Sequence, residues 1–182
     1  PSDMHGEGNI KAVEWTIVED EEIAYSLWLE GDIDYVGIPR DFVPSYLEKY
    51  PDQYSQAPGD YGLWMTFNIS VPPFDDLHLR RAFSAALDRS SLVEDIFGGG
   101  GIPMKHLAPP SVFGAPPVDE VGVGYDREYA LKELEEAGYP GCQGLSTINF
   151  YDGTSLLNSE QGQEIARSWE RELDCPEGTI KY

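Results

Sequence analysis

The chain has 182 residues, 41% of them hydrophobic, which is the length and composition of one globular domain. It carries 33 acidic and 12 basic side chains, a formal charge of -21, which repels phosphate backbones and anionic lipid head groups, so nucleic acid and membrane surfaces are poor partners. No stretch approaches the roughly 20 apolar residues of a membrane helix. We interpret the charge as a means of keeping the protein in solution, with recruitment of cationic ligands as the alternative. The opening residues show no starting Met or leader pattern, so we expect an excised or processed piece.

Strand and helix patterns alternate through the first part of the chain. Runs of β-branched and aromatic residues predict strands at 10–18, 33–38 and 61–69, with a possible edge strand at 53–57. Asp20 is placed to cap a helix that runs to Leu29 and stops at Gly31. Asp41 is placed to cap a second helix, which Pro51 ends. The opening strand, helix and strand are expected to form a right-handed crossover unit.

Three further helices are predicted where an Asp precedes apolar residues at helical spacing. Their expected caps are Asp75 or Asp76, Asp88, and Asp126. Residues 98–124 are rich in Gly and Pro without any period, which indicates a long ordered loop, rather than a linker, if something packs over it; in a compact domain such a loop is often functional. Beyond the third helix, a helix over 157–173 separates a strand near 147–151 from a terminal strand at 179–182.

Two cysteines, Cys142 and Cys175, each precede one of the last two predicted strands. If the intervening helix makes those strands parallel neighbours, both thiols lie at the same end of the sheet, within reach of a bridge. We predict a disulfide, and two buried free thiols are the alternative. Zinc is a third interpretation, although His5, His78 and His106 show no ligand spacing with the cysteines.

Sequence motifs of catalysis are missing. The chain has no nucleophile elbow, no phosphate loop and no zinc-binding His-Glu-x-x-His pattern. The glycine run 98–101 follows a helix, whereas a phosphate site needs a strand, glycines and then a helix. The acidic run 19–22 lies at a helix start, where capping and solvation explain it. We therefore predict no catalytic residue, no metal ligand and no cofactor.

Several short phrases stand in the order and spacing of one known family. They are LEGDIDY at 29–35, FN at 67–68 followed by PPFDDLHLRRA at 72–82, ALDR at 86–89, GIP at 101–103 with PP at 109–110, and GYD at 124–126 with LEEAGY at 134–139. The chain thereby resembles the family 5 extracellular solute-binding proteins of bacterial and archaeal ABC importers, which include dipeptide and oligopeptide binders.

The resemblance implies two lobes that close on a solute, with residues 1–182 as a single partial domain inside the second lobe. The expected fold is a three-layer α/β lobe, a mixed sheet flanked by helices, as in type II periplasmic binding proteins. The implied role is a peptide-binding, non-enzymatic subunit that delivers solute to an ABC permease of the membrane. We expect an exported monomer, periplasmic or held at the cell surface as a lipoprotein.

Candidate ligand-binding residues lie where predicted strands end or face the expected cleft. They are Gly37, Ile38, Pro39, Tyr61, Trp64, Asn68 and Pro103. Trp64 is the main candidate for apolar contact, and the alternative is that it belongs to the core. Three arginines, Arg80, Arg81 and Arg89, are interpreted as structural ion pairs rather than as ligands of a carboxylate.

Two other functions stay open. One is a same-family binder of another solute, such as an oligosaccharide, a metal chelate or haem. The other is a carboxylate-dependent hydrolase, which needs two acids facing one pocket. Because one wall offers only part of a ligand's contacts, we expect this chain to bind peptides more weakly than micromolar.

Overall fold

The computed structural model of the chain describes residues 9–39, 42–55, 57, 59, 62–96, 98–152 and 157–182. The chain divides into two units, Pro1–Ser55 and Gln56–Tyr182. The prediction of a single partial domain over 1–182 stays a prediction.

The first unit contains two helices, α1 (Glu21–Glu30) and α2 (Val43–Lys49), and a 3-10 turn (Pro51–Gln53). Asp20 caps α1 as predicted, because its Oδ1 accepts hydrogen bonds from the backbone N–H groups of Glu22 and Ile23 at 2.9 and 3.0 Å. Gly31 ends α1 with a φ of 83°, a conformation that favours glycine. The predicted cap of α2, Asp41, lies outside the described residues.

Aromatic rings hold α1 and α2 together. Trp28 of α1 lies 5.4 Å from Tyr46 and 5.7 Å from Tyr50, measured between ring centroids. Tyr25 contacts Tyr46 at 6.1 Å, and Tyr46 is only 3% exposed. Burial raises the pKa of the Tyr46 hydroxyl, and the neighbouring Tyr25 and Tyr50 raise it further. The ring cluster is therefore the small core of this unit.

The second unit contains α3 (Leu77–Ala85), α4 (Arg89–Asp95), α5 (Arg127–Glu136) and α6 (Ser159–Glu172). The predicted caps are confirmed for the first three: Asp76, Asp88 and Asp126 each accept hydrogen bonds from backbone N–H groups in the first turn. Burial acts to raise the pKa of Asp88, but hydrogen bonds from Ser91 and from the N–H of Ser90 outweigh it and lower that pKa.

A pair of parallel strands, β1 (Ile148–Asn149) and β2 (Ile180–Lys181), forms the sheet of the described residues, with Ile148 opposite Ile180. Helix α6 is the crossover between them, as predicted. Cys142 and Cys175 are joined by a disulfide, with their Cα atoms 5.0 Å apart, just before the two strands. The bond closes a segment with a sequence separation of 33 that contains β1 and α6.

Helices α3, α5 and α6 enclose the core of the second unit. Its largest fully buried side chains are Phe83, Leu79, Leu134, Ile165 and Leu173. The indole Nε1–H of Trp169 donates to the Phe83 carbonyl oxygen at 2.9 Å, which links α6 to α3. Glu170 is buried as well, and its Oε1 accepts a hydrogen bond from the N–H of Ile180 at 2.8 Å, which links α6 to β2.

Strands do not form at 10–18, 33–38 or 62–69, and Gln53 of the possible edge strand lies in a 3-10 turn. These predictions were wrong for the described residues because a strand is completed by a neighbouring backbone, which side-chain composition does not supply. In the segment 10–18 no side chain is buried, and Trp15 is 82% and Ile17 92% exposed. Residues 98–124 form a loop without helix or strand over their described length, as predicted.

Candidate functional site

The segment 62–69 has one side against the core and the other toward solvent. Met65 and Phe67 pack on the core, and the Phe67 ring lies 4.6 Å from that of Phe74. Trp64 and Asn68 alternate with them and are exposed, Trp64 to 55%. The backbone thus keeps the alternation of a strand without a pairing partner among the described residues, and Trp64 lies on its exposed side.

The Trp64 ring lies over Gly62, and Met104 approaches the same point from the loop. A Cβ placed on Gly62 would lie 3.0 Å from Cζ3 of Trp64 and 3.6 Å from Cε of Met104. Because Gly62 has no side chain, the indole and the thioether fit beside its backbone. We call Gly62, Trp64, Pro103 and Met104 the Trp64–Met104 surface. It brings together two of the predicted candidates, Trp64 and the loop around Pro103.

Hydrogen bonds fix the part of the loop that follows Met104. The N–H of Lys105 donates to the Val118 carbonyl oxygen at 3.2 Å, and its Nζ donates to the Asp119 carbonyl oxygen at 3.0 Å. Further along, the Ser111 hydroxyl donates to the Gly59 carbonyl oxygen at 2.8 Å. The loop is therefore held against the segment that carries Trp64, as a wall of a binding site requires.

The other predicted site residues have different surroundings. Gly37, Ile38 and Pro39 belong to the first unit, where the Pro39 carbonyl oxygen accepts from the N–H of Phe42 at 2.9 Å. Tyr61 lies outside the described residues. Asn68 is exposed, but its Oδ1 accepts from the N–H of Ser70 at 3.2 Å, so this side chain also stabilises the turn that follows.

Arginines near α3 have structural contacts, although not all of the predicted kind. Arg80 donates to the carbonyl oxygens of Phe74 and Asp75 at 2.7 and 2.9 Å, and Arg89 to those of Ser84 and Leu87 at 3.2 Å. For these two the prediction of ion pairs was wrong, because backbone acceptors lie within reach. Arg81 does form the predicted ion pair, because its guanidinium lies 3.9 Å from the buried carboxylate of Glu133 in α5.

Among the described residues, the two buried carboxylates have structural partners on different elements. Glu133 lies 2.9 Å from Nδ1 of His78, between α3 and α5, and Glu170 holds β2. A shallow depression of about 390 Å³ is lined by Gly122, Val123, Gly124, Tyr125, Asp126 and Tyr129. Its Tyr125 hydroxyl donates to Glu172 at 2.8 Å, which raises the pKa of Tyr125.

The described residues contain no group of His, Cys, Asp and Glu side chains arranged to hold a metal ion. None of the helices in the described part of the chain has the length and apolar character needed to cross a bilayer.

Replacing Gly122 by Ala should loosen the loop and move Met104. Gly122 has a φ of 97°, and a Cβ there would collide with the Lys105 carbonyl oxygen, one residue from Met104. We expect the collision and the backbone strain together to lower the free energy of unfolding by about 2–4 kcal/mol. Urea unfolding and hydrogen exchange at the Lys105 amide measure it.

Gly114→Ala is the matched control, because Gly114 has a φ of 83° in the same loop and no atom within 4 Å of an added Cβ. In the Gly114→Ala variant, backbone strain should lower the free energy of unfolding by only about 1 kcal/mol. Equal destabilisation by the two substitutions would show that the close approach to Lys105 does not hold the loop.

The fold of this chain is that of periplasmic binding proteins. The unliganded open form of the periplasmic murein tripeptide binding protein MppA matches 90% of this chain with a TM-score of 0.72 and 24% identity, over 32% of its own length. Residues 4–173 match the family described as bacterial extracellular solute-binding proteins, family 5 Middle. The chain belongs to this family, as the resemblance in the sequence predicted.

Curated relatives agree with this assignment. The oligopeptide-binding protein OppA of Bacillus subtilis is 24% identical over 179 residues, which cover 90% of this chain and 32% of the relative. The heme-binding protein A of Haemophilus influenzae is 30% identical over 129 residues, covering 69% of this chain and 23% of the relative. The chain spans about a third of the length of the first curated relatives it matches.

Met104, Gly62 and Gly122 were missed by the sequence-based prediction of the site. Their roles depend on which parts of the loop approach the segment 62–69, and no local pattern encodes that approach. The distribution of acidic residues points to two of them, since the chain has no Asp or Glu over 61–74, around Gly62, or over 96–118, around Met104, whereas Gly122 follows Asp119 and Glu120.

Proposed function

We propose that this chain is part of the substrate-binding component of an ABC-type importer for peptides. The observation that carries the proposal is the family match over 4–173 together with the fold shared with a murein tripeptide binding protein. In this proposal the solute is held between two lobes, and ligand binding favours the closed state, which docks on the membrane permease. Residues 1–182 form a single partial domain of the second lobe, a three-layer unit whose mixed sheet is flanked by helices.

The Trp64–Met104 surface is proposed as part of the cleft wall. It offers an exposed indole and a thioether, both suited to apolar side chains, on a backbone held by the loop hydrogen bonds. Gly37, Ile38, Pro39, Tyr61 and Asn68 are proposed as further wall residues. The protein is proposed to be exported, periplasmic or anchored at the cell surface as a lipoprotein, and monomeric.

Another solute is the second candidate. The observation that favours it is the 30% identity to a relative named as a heme-binding protein. A flat tetrapyrrole stacks on an exposed indole as an aromatic side chain does. We give the peptide priority because the structural match is to a peptide-binding protein over 90% of the chain.

A binding role rather than catalysis is proposed. Each of the two buried carboxylates stabilises contacts between elements: Glu133 accepts from His78, and Glu170 accepts from the backbone of β2. A hydrolase needs two acids facing one pocket, and these contacts support a structural role for both instead.

The proposed function is tested by identifying the ligand that the protein carries when it is purified from its source under native conditions. We expect native mass spectrometry to detect the bound ligand, and denaturation of the protein to release peptides. Release of a tetrapyrrole or an oligosaccharide would select the other-solute candidate, and release of hydrolysed products from an added peptide would select the hydrolase.

Truncating Trp64 should weaken peptide binding. Trp64→Ala removes most of the apolar area of the surface, and we expect about a tenfold loss of affinity for a peptide with an aromatic side chain. Titrations followed by calorimetry measure it, with affinities weaker than micromolar expected for this chain. The control is Trp15→Ala, an equally large truncation of an exposed indole in the first unit, which should leave the affinity unchanged. Equal losses in both variants would remove Trp64 from the site.

A further inference from the structure

Acidic residues are missing from the two segments that build the Trp64–Met104 surface. Residues 96–118 form the longest stretch of the chain without Asp or Glu, and residues 61–74 contain no charged residue of either sign. A third acid-free segment, 137–151, contains Cys142 of the disulfide and β1. In a chain with 33 acidic residues, segments without them are expected where the backbone is buried.

Burial does not explain why residues 96–118 and 61–74 lack acidic side chains, because many of the apolar side chains in these two segments are exposed. Trp64, Ile69, Ile102 and Leu107 are all exposed, and so is Phe113, near which the loop turns. The segments meet where Trp64 and Met104 both lie beside Gly62, and the Ser111 hydroxyl binds the carbonyl oxygen of Gly59, two residues before residues 61–74 begin. Together they form an apolar area that has no acidic side chain, on a strongly acidic protein.

The basic groups of the loop are already engaged by backbone acceptors. Within the described part of the two segments they are Lys105 and His106. Lys105 Nζ binds the Asp119 carbonyl oxygen at 3.0 Å, and His106 Nε2 lies 3.1 Å from the Pro117 carbonyl oxygen. The surface itself thus offers apolar contact, while the charge of -21 on the whole chain repels anions and attracts cations over longer distances.

We propose that the Trp64–Met104 surface takes an apolar, preferably aromatic, side chain of a peptide that carries net positive charge, and that acidic peptides are rejected. This substrate class rests on the proposed function of peptide binding. The apolar contact selects the side chain, and the field of the acidic surface selects the charge.

The test uses the whole 182-residue chain labelled with nitrogen-15 and three peptides with blocked termini: Lys-Phe-Lys, Lys-Ala-Lys and Glu-Phe-Glu. Binding is followed at the indole N–H resonance of Trp64, which Trp64→Phe assigns. Lys-Phe-Lys should bind about fivefold more tightly than Lys-Ala-Lys, because the phenyl ring buries apolar area on the surface. At about 0.05 M salt, Lys-Phe-Lys should also bind at least about threefold more tightly than Glu-Phe-Glu. Raising the salt to about 0.5 M should remove the preference over Glu-Phe-Glu and leave the preference over Lys-Ala-Lys unchanged.

The possible failures are distinguishable. If the peptides move the Trp64 resonance with equal affinities, or if Glu-Phe-Glu binds as well as Lys-Phe-Lys at low salt, the substrate class is wrong and peptide binding stands. If millimolar peptide moves no Trp64 resonance while the chain remains folded, both the proposed site and the substrate class are wrong. Trp15→Ala should reproduce the wild-type preferences.

Discussion

Phe83→Ala is expected to lower the free energy of unfolding by about 3–5 kcal/mol. The Phe83 ring is 1% exposed and lies at the centre of an aromatic cluster, 5.1 Å from the ring of Phe74 and 5.8 Å from that of Trp169. Its removal leaves a cavity between α3 and α6 that rigid rings on both sides cannot fill. Urea unfolding monitored by circular dichroism measures the loss.

Phe83→Leu is the control, because it keeps most of the apolar volume and should cost less than half as much. The hydrogen bond from Trp169 to the Phe83 carbonyl oxygen uses backbone, so both variants retain it. A loss below about 1 kcal/mol for Phe83→Ala would contradict the placement of this ring at the centre of the core.

Loss of the Cys142–Cys175 disulfide is expected to lower the free energy of unfolding by about 3–4 kcal/mol. The bond closes a segment with a separation of 33, and its removal lets the unfolded chain gain the conformational freedom of that segment. Comparing urea unfolding with and without a reductant measures the effect.

Single substitutions separate the bond from the packing of each sulfur. Cys142 is buried, whereas Cys175 is partly exposed. Cys175→Ser should therefore lower the free energy of unfolding mainly through loss of the bond. Cys142→Ser should lower it further, because this variant also buries a hydroxyl group. An unchanged unfolding midpoint after reduction would contradict a stabilising disulfide.

Helix positions were predictable from the sequence because helix caps act locally. Asp76, Asp88 and Asp126 bind N–H groups two or three residues ahead, so the residue type and its spacing carry the information. The parallel pairing of β1 and β2 was also predictable, since a helix of suitable length connects two short apolar runs that each follow a cysteine.

The strands before residue 70 were not predictable from composition in the same way. In the segment 62–69 the alternation is present, as the inward Met65 and Phe67 and the outward Trp64 show, but the hydrogen-bonding partner of a strand is a property of the whole fold. The same reason hid Met104, whose place beside Gly62 depends on the approach of Gly122 to the Lys105 carbonyl. The absence of acids from both segments was visible in the sequence and marks the surface they share.

Intermolecular nuclear Overhauser effects between Lys-Phe-Lys and the labelled chain test directly whether the Trp64–Met104 surface binds the peptide side chain, because they report which atoms the bound side chain contacts. We expect effects from the peptide phenyl ring to the Trp64 indole and to the Met104 methyl group. Effects confined to other residues, such as Tyr125 and Tyr129 of the shallow depression, would contradict it.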